Sequence, residues 1–190
     1  MFQRVNEFHR IFGQHIADAP ALPDMRERAL RMSLLLEEVD EFCVAYFDDD
    51  LVEMADGLAD MCYIIAGTCV SYGICPEGSF ESPYEDVLGQ MTMFYNLKLD
   101  EIVREDFAKY VWAETDNDLP RIKDTLMQLM TSIFGISLHL GIPLNQVFAE
   151  VHRSNLAKAP DGVVQYREDG KVQKPSGWTP PDIKSILGVE

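Results

Sequence analysis

Basic residues are scarce. Sixteen Lys and Arg stand against 32 Asp and Glu, a formal net charge of -16 over 190 residues. A surface of that sign repels DNA, RNA and anionic lipid, so polymeric nucleic acid and membranes are not expected partners. Cysteine is sparse as well: Cys43, Cys62, Cys69 and Cys75 form no C-x-x-C pair and no zinc-type cluster. Three of them fall in apolar helical stretches and read as small buried hydrophobes in a reducing compartment. No apolar leader opens the chain, and no charge-free run reaches about 18 residues, so the expectation is a soluble, cytoplasmic protein, bacterial or in a phage host. There is no P-loop, which disfavours a Walker-type NTPase. His9, His15, His139 and His152 show no pairing with Ser or Cys that suggests a nucleophilic triad.

What the chain has is helical periodicity. Hydrophobic residues make up 47% of it, enough for a packed core. Phe2, Val5, Phe8 and Phe12 are spaced as one helix face. After Pro20 and Pro23, Asp24 suits the N-cap of a helix running to about Phe47. Asp48-Asp49-Asp50 reads as a turn and the next cap, opening a helix from Leu51 to Tyr72 that Gly73 ends. Two helices are expected between 84 and 114, another from Asp118 and Pro120 to Gly141, and a last long one from Pro143 to about Lys158. The tail is richer in Pro and Gly, with a hairpin-like turn at Asp169-Gly170. The class is all-α. Residues 1–158 form one helical domain, 75–141 within it look like a helical insert, and 159–190 are an irregular tail. One internal echo exists: residues 60–74 and 128–142 align without gaps. It fits either a true repeat or the recurrence of small residues in packed helices.

Acidic residues on two consecutive helices carry the chemistry. Glu38 and Glu41 are three apart and share a helix face, near Leu30, Leu34 and Ala45, so they read as lying on an apolar stripe. Glu37 and Asp40 point further round and read as solvated. On the next helix Glu53, Asp56 and Asp60 line one side, continued by Ile64, Gly67 and Ser71. That helix is apolar almost all round from Met61 to Val70, so its acidic stripe should face protein as well. Carboxylates gathered there without nearby Lys or Arg repel one another unless a cation compensates. Hard oxygen ligands suit Mg²⁺, with Mn²⁺ as substitute. Such ions screen a triphosphate and acidify water for in-line attack on the α-phosphorus, a spare carboxylate taking the proton. The competing reading is an exposed acidic rim that only aids solubility.

At these residues the sequence resembles the all-α NTP pyrophosphohydrolases, the group holding MazG-like proteins, dimeric dUTPases and phosphoribosyl-ATP pyrophosphohydrolase. Glu38-Val39-Asp40-Glu41 matches the first half of the family's E-x-x-E…E-x-x-D pattern. Asp56-Gly57-Leu58-Ala59-Asp60-Met61-Cys62-Tyr63, then Gly67-Thr68, is similar to its second half. Asn6-Glu7-Phe8-His9, Val147 to Asn155 with Lys158, and Tyr166 to Val172 also fit. Gly57 stands where the fuller motif often has Glu, which leaves Asp56 or Glu53 to supply that ligand. Residues 75–141 look inserted between parts that are usually adjacent, either extending the bundle, mimicking a subunit contact or reshaping the base pocket.

The resemblance implies magnesium at Glu38, Glu41, Asp56 and Asp60, with Glu53 a further candidate, and assigns the catalytic acids to Glu38 and Glu41. It places Asn155 and Lys158 against phosphate or sugar. Lys171 is a further candidate there, and Trp178 with Lys171 and Lys174 is a candidate lid. It implies a nucleoside or deoxynucleoside triphosphate as substrate, pyrophosphate as product, and a homodimer or homotetramer. Phosphoribosyl-ATP hydrolysis and a non-catalytic helical interaction protein are the alternatives. A di-iron bundle is disfavoured because Glu150-Val151-His152 has the wrong spacing for Glu-x-x-His.

Overall fold

The computed structural model describes residues 1–74, 98–165 and 172–189. The described residues form seven α-helices and no strand: α1 (Phe2–Ile11), α2 (Met25–Phe47), α3 (Leu51–Tyr72), α4 (Leu99–Thr115), α5 (Leu119–His139), α6 (Leu144–Leu156) and α7 (Ile183–Leu187). A short 3-10 turn, Pro160–Gly162, follows α6. The all-α expectation is met. None of the described helices is by itself long and apolar enough to cross a membrane.

Local chemistry sets the boundaries. Asp24 caps α2, its carboxylate accepting from the Glu27 N–H at 2.9 Å. Asp50 accepts from the Val52 and Glu53 N–H groups at the start of α3. At the other end of α3, Gly73 takes φ 63°, which lets its N–H turn back to Val70 O. A side chain there would collide, since an added Cβ would lie 2.4 Å from Ala19 O. Asp118 caps α5 through the Arg121 N–H.

Helix α3 is the axle of the core. From Met54 to Tyr72 nearly all its residues are buried, and α1, α2, α5, α6 and α7 pack around it. Helices α2–α3 and α4–α5 are two antiparallel hairpins laid side by side, α2 on α4 and α3 on α5. A buried polar knot ties them. Arg28 Nε donates to Glu114 Oε2 at 2.9 Å, Arg28 Nη2 to Glu114 O at 2.6 Å, and Tyr72 O–H to Glu114 Oε1 at 2.5 Å.

Several expectations need correction. On α2 the buried stripe is Arg28, Arg31, Leu35, Val39, Phe42, Cys43 and Ala45. Leu30 is 47% exposed and Leu34 half-buried, because α2 leaves a cleft open on that side. Helix α7 was not anticipated, although Asp182 caps it through Ser185. Residues 84–97 of the expected helical stretch, Cys75 and the Asp169-Gly170 turn lie outside the described residues. Among the described residues beside that turn, Gln173 N–H donates to Gln165 O at 2.7 Å. Cys43, Cys62 and Cys69 are buried, as expected.

Candidate active site

A cleft of about 280 Å³ opens between α1, α2, α3 and α6. Helix α2 contributes Glu38 and α3 contributes Asp60; α6 brings Asn155, and Lys158 follows just past its end. Phe8, His9, Arg31 and Tyr63 complete the wall. Glu41 and Glu53 line a separate groove of the same hairpin, with Asp40, Val44 and Asp48. Asp56 is half-buried and within electrostatic reach of Glu53, Glu41 and Glu38. The hairpin keeps the five acids within electrostatic reach along a chain of neighbours but does not gather them at one point: Glu38 and Asp60 line the cleft, whereas Glu41 and Glu53 are exposed, which corrects the expectation that they face protein.

Their ionisation reports the crowding. Burial raises the Glu38 pKa to about 8, and the charges of Asp60, Glu41, Glu37 and Asp56 push the same way. Burial, followed by Asp56, lifts Asp60 to about 7, with Lys158 opposing. Asp56 rises to about 6 through burial, Glu53 and Glu41. Glu41 is exposed and also raised, by partial desolvation first and then by Glu37 and Glu53.

These groups suit a divalent cation on a direct structural ground. Glu38 Oε2 and Asp56 Oδ1 are buried and have no hydrogen-bond partner. A buried carboxylate oxygen without a donor is strongly unfavourable, and a hard cation is the partner that oxygen-only donors select. Among the described residues no three Asp, Glu, His or Cys side chains converge into a finished cage. Like charges with no ion between them have no reason to close up.

The expectation that no cation lies nearby is corrected. The end of α6 brings in Lys158, almost a hundred residues further along the chain, and its charge acts on Asp60 and Asp56. Burial lowers the Lys158 pKa, and its ammonium donates to Asn155 Oδ1 at 2.7 Å. Arg31 also lines the cleft, held by Glu27 at 2.8 Å and Gln14 at 3.3 Å. Neither forms an ion pair with the five acids.

Gly57 has a steric reason. An added Cβ would sit 3.2 Å from Phe42 Cβ and 3.4 Å from its backbone. This position faces α2 at close approach, so a side chain there requires Phe42 to give by a few tenths of an ångström. Asp56, one residue earlier, supplies the carboxylate beside Asp60.

Sequence reasoning missed much of the opposite wall. Tyr63 is buried, stacks on Phe148 and meets Phe8 edge-on, both at 5.5 Å. Its hydroxyl lies 3.0 Å from His152 Nδ1. His9 is buried against His15 O at 2.9 Å, and its pKa falls to about 4, through burial first and then Arg31. Gly67 makes room for this wall: a Cβ there would lie 2.9 Å from Arg31 Nη1 and 3.0 Å from His9 Nε2. The Phe8-His9 pair on α1 was the available signal. Lys171 lies outside the described residues. Trp178 docks on α6 by donating to Ser154 O at 2.9 Å, with Lys174 Nζ 4.0 Å above its ring.

Residues 5–87 match the family model described as phosphoribosyl-ATP pyrophosphohydrolase. The match covers most of α1 and all of α2 and α3, and with them all five acids, so the resemblance to the all-α NTP pyrophosphohydrolase superfamily holds over that part of the chain. An uncharacterized protein of Acanthamoeba polyphaga mimivirus is 26% identical over 177 residues, spanning 83% of this chain and 70% of its own length.

Proposed function

We propose that this protein is a magnesium-dependent nucleoside triphosphate pyrophosphohydrolase, releasing a nucleoside monophosphate and pyrophosphate. The observation that carries the reading is the pair of buried, partnerless oxygens on Glu38, which lines the cleft with Asp60, Asn155 and Lys158, and on Asp56, within electrostatic reach of Glu38. Glu38, Glu41, Asp56 and Asp60 would hold the cation, with Glu53 as an outer ligand; Mn²⁺ would substitute. Bound magnesium would supply charge neutralisation for the triphosphate and acidify a water.

The chain's own groups do the rest. Lys158, without a carboxylate partner within ion-pair distance, offers a point charge to a phosphate oxygen, and Asn155 holds its ammonium in place. Glu38 and Glu41 are the candidates to orient the attacking water and accept its proton. Phe8 and Tyr63 give the cleft an aromatic wall on which a base can rest. The acidic surface keeps polymeric nucleic acid away and leaves a small nucleotide as the partner.

A second reading, phosphoribosyl-ATP as substrate, is favoured by the family matched over residues 5–87. Both readings predict pyrophosphate release, and a substrate panel separates them. With Mg²⁺ present, NTPs, dNTPs and phosphoribosyl-ATP are each incubated with the protein and products are resolved by ion exchange. Pyrophosphate from one or more NTPs supports the main reading, and pyrophosphate from phosphoribosyl-ATP alone supports the second. Orthophosphate as first product rejects both.

A further inference from the structure

The two hairpins correspond residue by residue. Adding 68 to each number carries the echo at residues 60–74 onto 128–142, and the same shift carries the whole of α3 and most of α2 onto α5 and α4. The turn Asp48-Asp49-Asp50 becomes Asp116-Asn117-Asp118. Asp49 and Asn117, both non-glycine, take the left-handed conformation at φ 57° and 55°. Asp50 N–H donates to Ala45 O at 2.9 Å, and Asp118 N–H to Ala113 O at 3.1 Å. Both Asp side chains then cap the next helix at its third residue, Glu53 and Arg121. Helices α3 and α5 end alike: Gly73 and Gly141 take φ 63° and 70°, and Ile74 and Ile142 return their N–H groups to Cys69 O and Ser137 O. Recurrence of small residues in packed helices accounts for none of this backbone agreement at a constant shift with no gap.

The packing agrees. Helix α2 lies on α4 and α3 on α5. Exchanging the hairpins maps each of these contacts onto itself, as a two-fold axis does between identical subunits.

The site positions have diverged. Glu41, Glu53 and Asp60 correspond to Lys109, Arg121 and Gln128, while Glu38 and Asp56 correspond to Asp106 and Asp124. Asp106 is buried where Glu38 is half-buried, and both its oxygens are satisfied. Lys109 Nζ donates to Oδ1 at 2.9 Å and Ser132 O–H to Oδ2 at 2.6 Å. Glu38 Oε2, at the matching position, has no partner.

We propose that α4–α5 is a degenerate second copy of α2–α3, filling within one chain the place of a second subunit's hairpin, with the Lys109 ammonium standing where the first copy takes a divalent cation. One chain therefore carries one cation site where two equivalent hairpins would carry two. The expected homo-oligomer then concerns only further association of hairpins already paired. The cation part rests on the divalent-site reading above; the duplication does not.

The test is Mn²⁺ binding followed by electron paramagnetic resonance on the full chain, without substrate. Wild type binds one set of ions, and E38Q/E41Q removes it entirely; tight binding that survives in that variant overturns the silent second copy. The variant K109E/R121E/Q128D rebuilds the acids on α4–α5 at three exposed positions, and circular dichroism checks that it remains helical. It gains a second set, about a twofold rise in bound Mn²⁺, and keeps that set when E38Q/E41Q is added. No gain in a folded variant, while wild type binds, overturns the correspondence. Binding by the rebuilt variant but not by wild type upholds the duplication and rejects the divalent site on α2–α3. If the rebuilt variant loses its helical signal, the E38Q/E41Q arm alone decides.

Discussion

Glu38 is held in the fold against its own charge, and pH reads that directly. Its pKa is raised to about 8 from 4.5, and Asp60 and Asp56 are raised to about 7 and 6. A folded state that binds protons more tightly than the unfolded one loses stability as pH rises. With a chelator present, we therefore expect the melting temperature to fall as pH climbs from about 4.5 to about 8, and the Glu38→Gln variant to show a shallower slope. Saturating Mg²⁺ should flatten the slope in wild type, because binding requires the ionised carboxylates. A melting temperature that rises over this window would contradict the assignment. For activity, Glu41→Gln should lower kcat by about 10²–10⁴-fold, the range for a lost general base, with helical circular dichroism unchanged. Unaltered kcat would remove Glu41 from the chemistry.

The helices are where the sequence was most legible, because their ends are written in single residues. Asp24, Asp50, Asp118 and Gly73 each mark a boundary that the structure repeats. Gly73→Ala should destabilise by at least about 1–2 kcal/mol, the penalty for a left-handed L-residue, and more from the contact with Ala19. Urea denaturation measures it, and a change under 0.5 kcal/mol would contradict the C-cap role (a bound set on the order of ordinary surface substitutions). The acidic stripes at steps of three and four were legible too, but which of their carboxylates turn inward depends on how the hairpin closes, and Glu41 and Glu53 stay exposed. Less legible was everything that depends on which helix packs where. Nothing in the pattern of α2 marked Arg28 and Arg31 for burial. They are buried only because Glu114 and Glu27 meet them there. Lys158 reaches the acids only because α6 folds back along α3, and periodicity carries no information about that. Gly67 gave no hint that it leaves space for Arg31 and His9.

At the scale of the molecule, the hairpins are joined by the Arg28–Glu114 pair, with each side chain under a tenth exposed. Glu114→Ala should destabilise by about 3–5 kcal/mol, since it leaves a buried guanidinium unmatched. A loss below 1 kcal/mol in denaturant melts would show that the hairpins do not depend on this knot (the size of a surface ion pair is about 0–1 kcal/mol). The knot fixes α2 from behind while α6 closes on α3 from the front, and the acidic cleft is what lies between. The central claim is that this cleft directs water onto the α-phosphorus of a nucleoside triphosphate. Hydrolysis in ¹⁸O-labelled water, with products separated and weighed by mass spectrometry, tests it most directly. The account predicts one label in the nucleoside monophosphate and none in pyrophosphate; label in pyrophosphate, or no hydrolysis of any triphosphate with magnesium in excess, would contradict it.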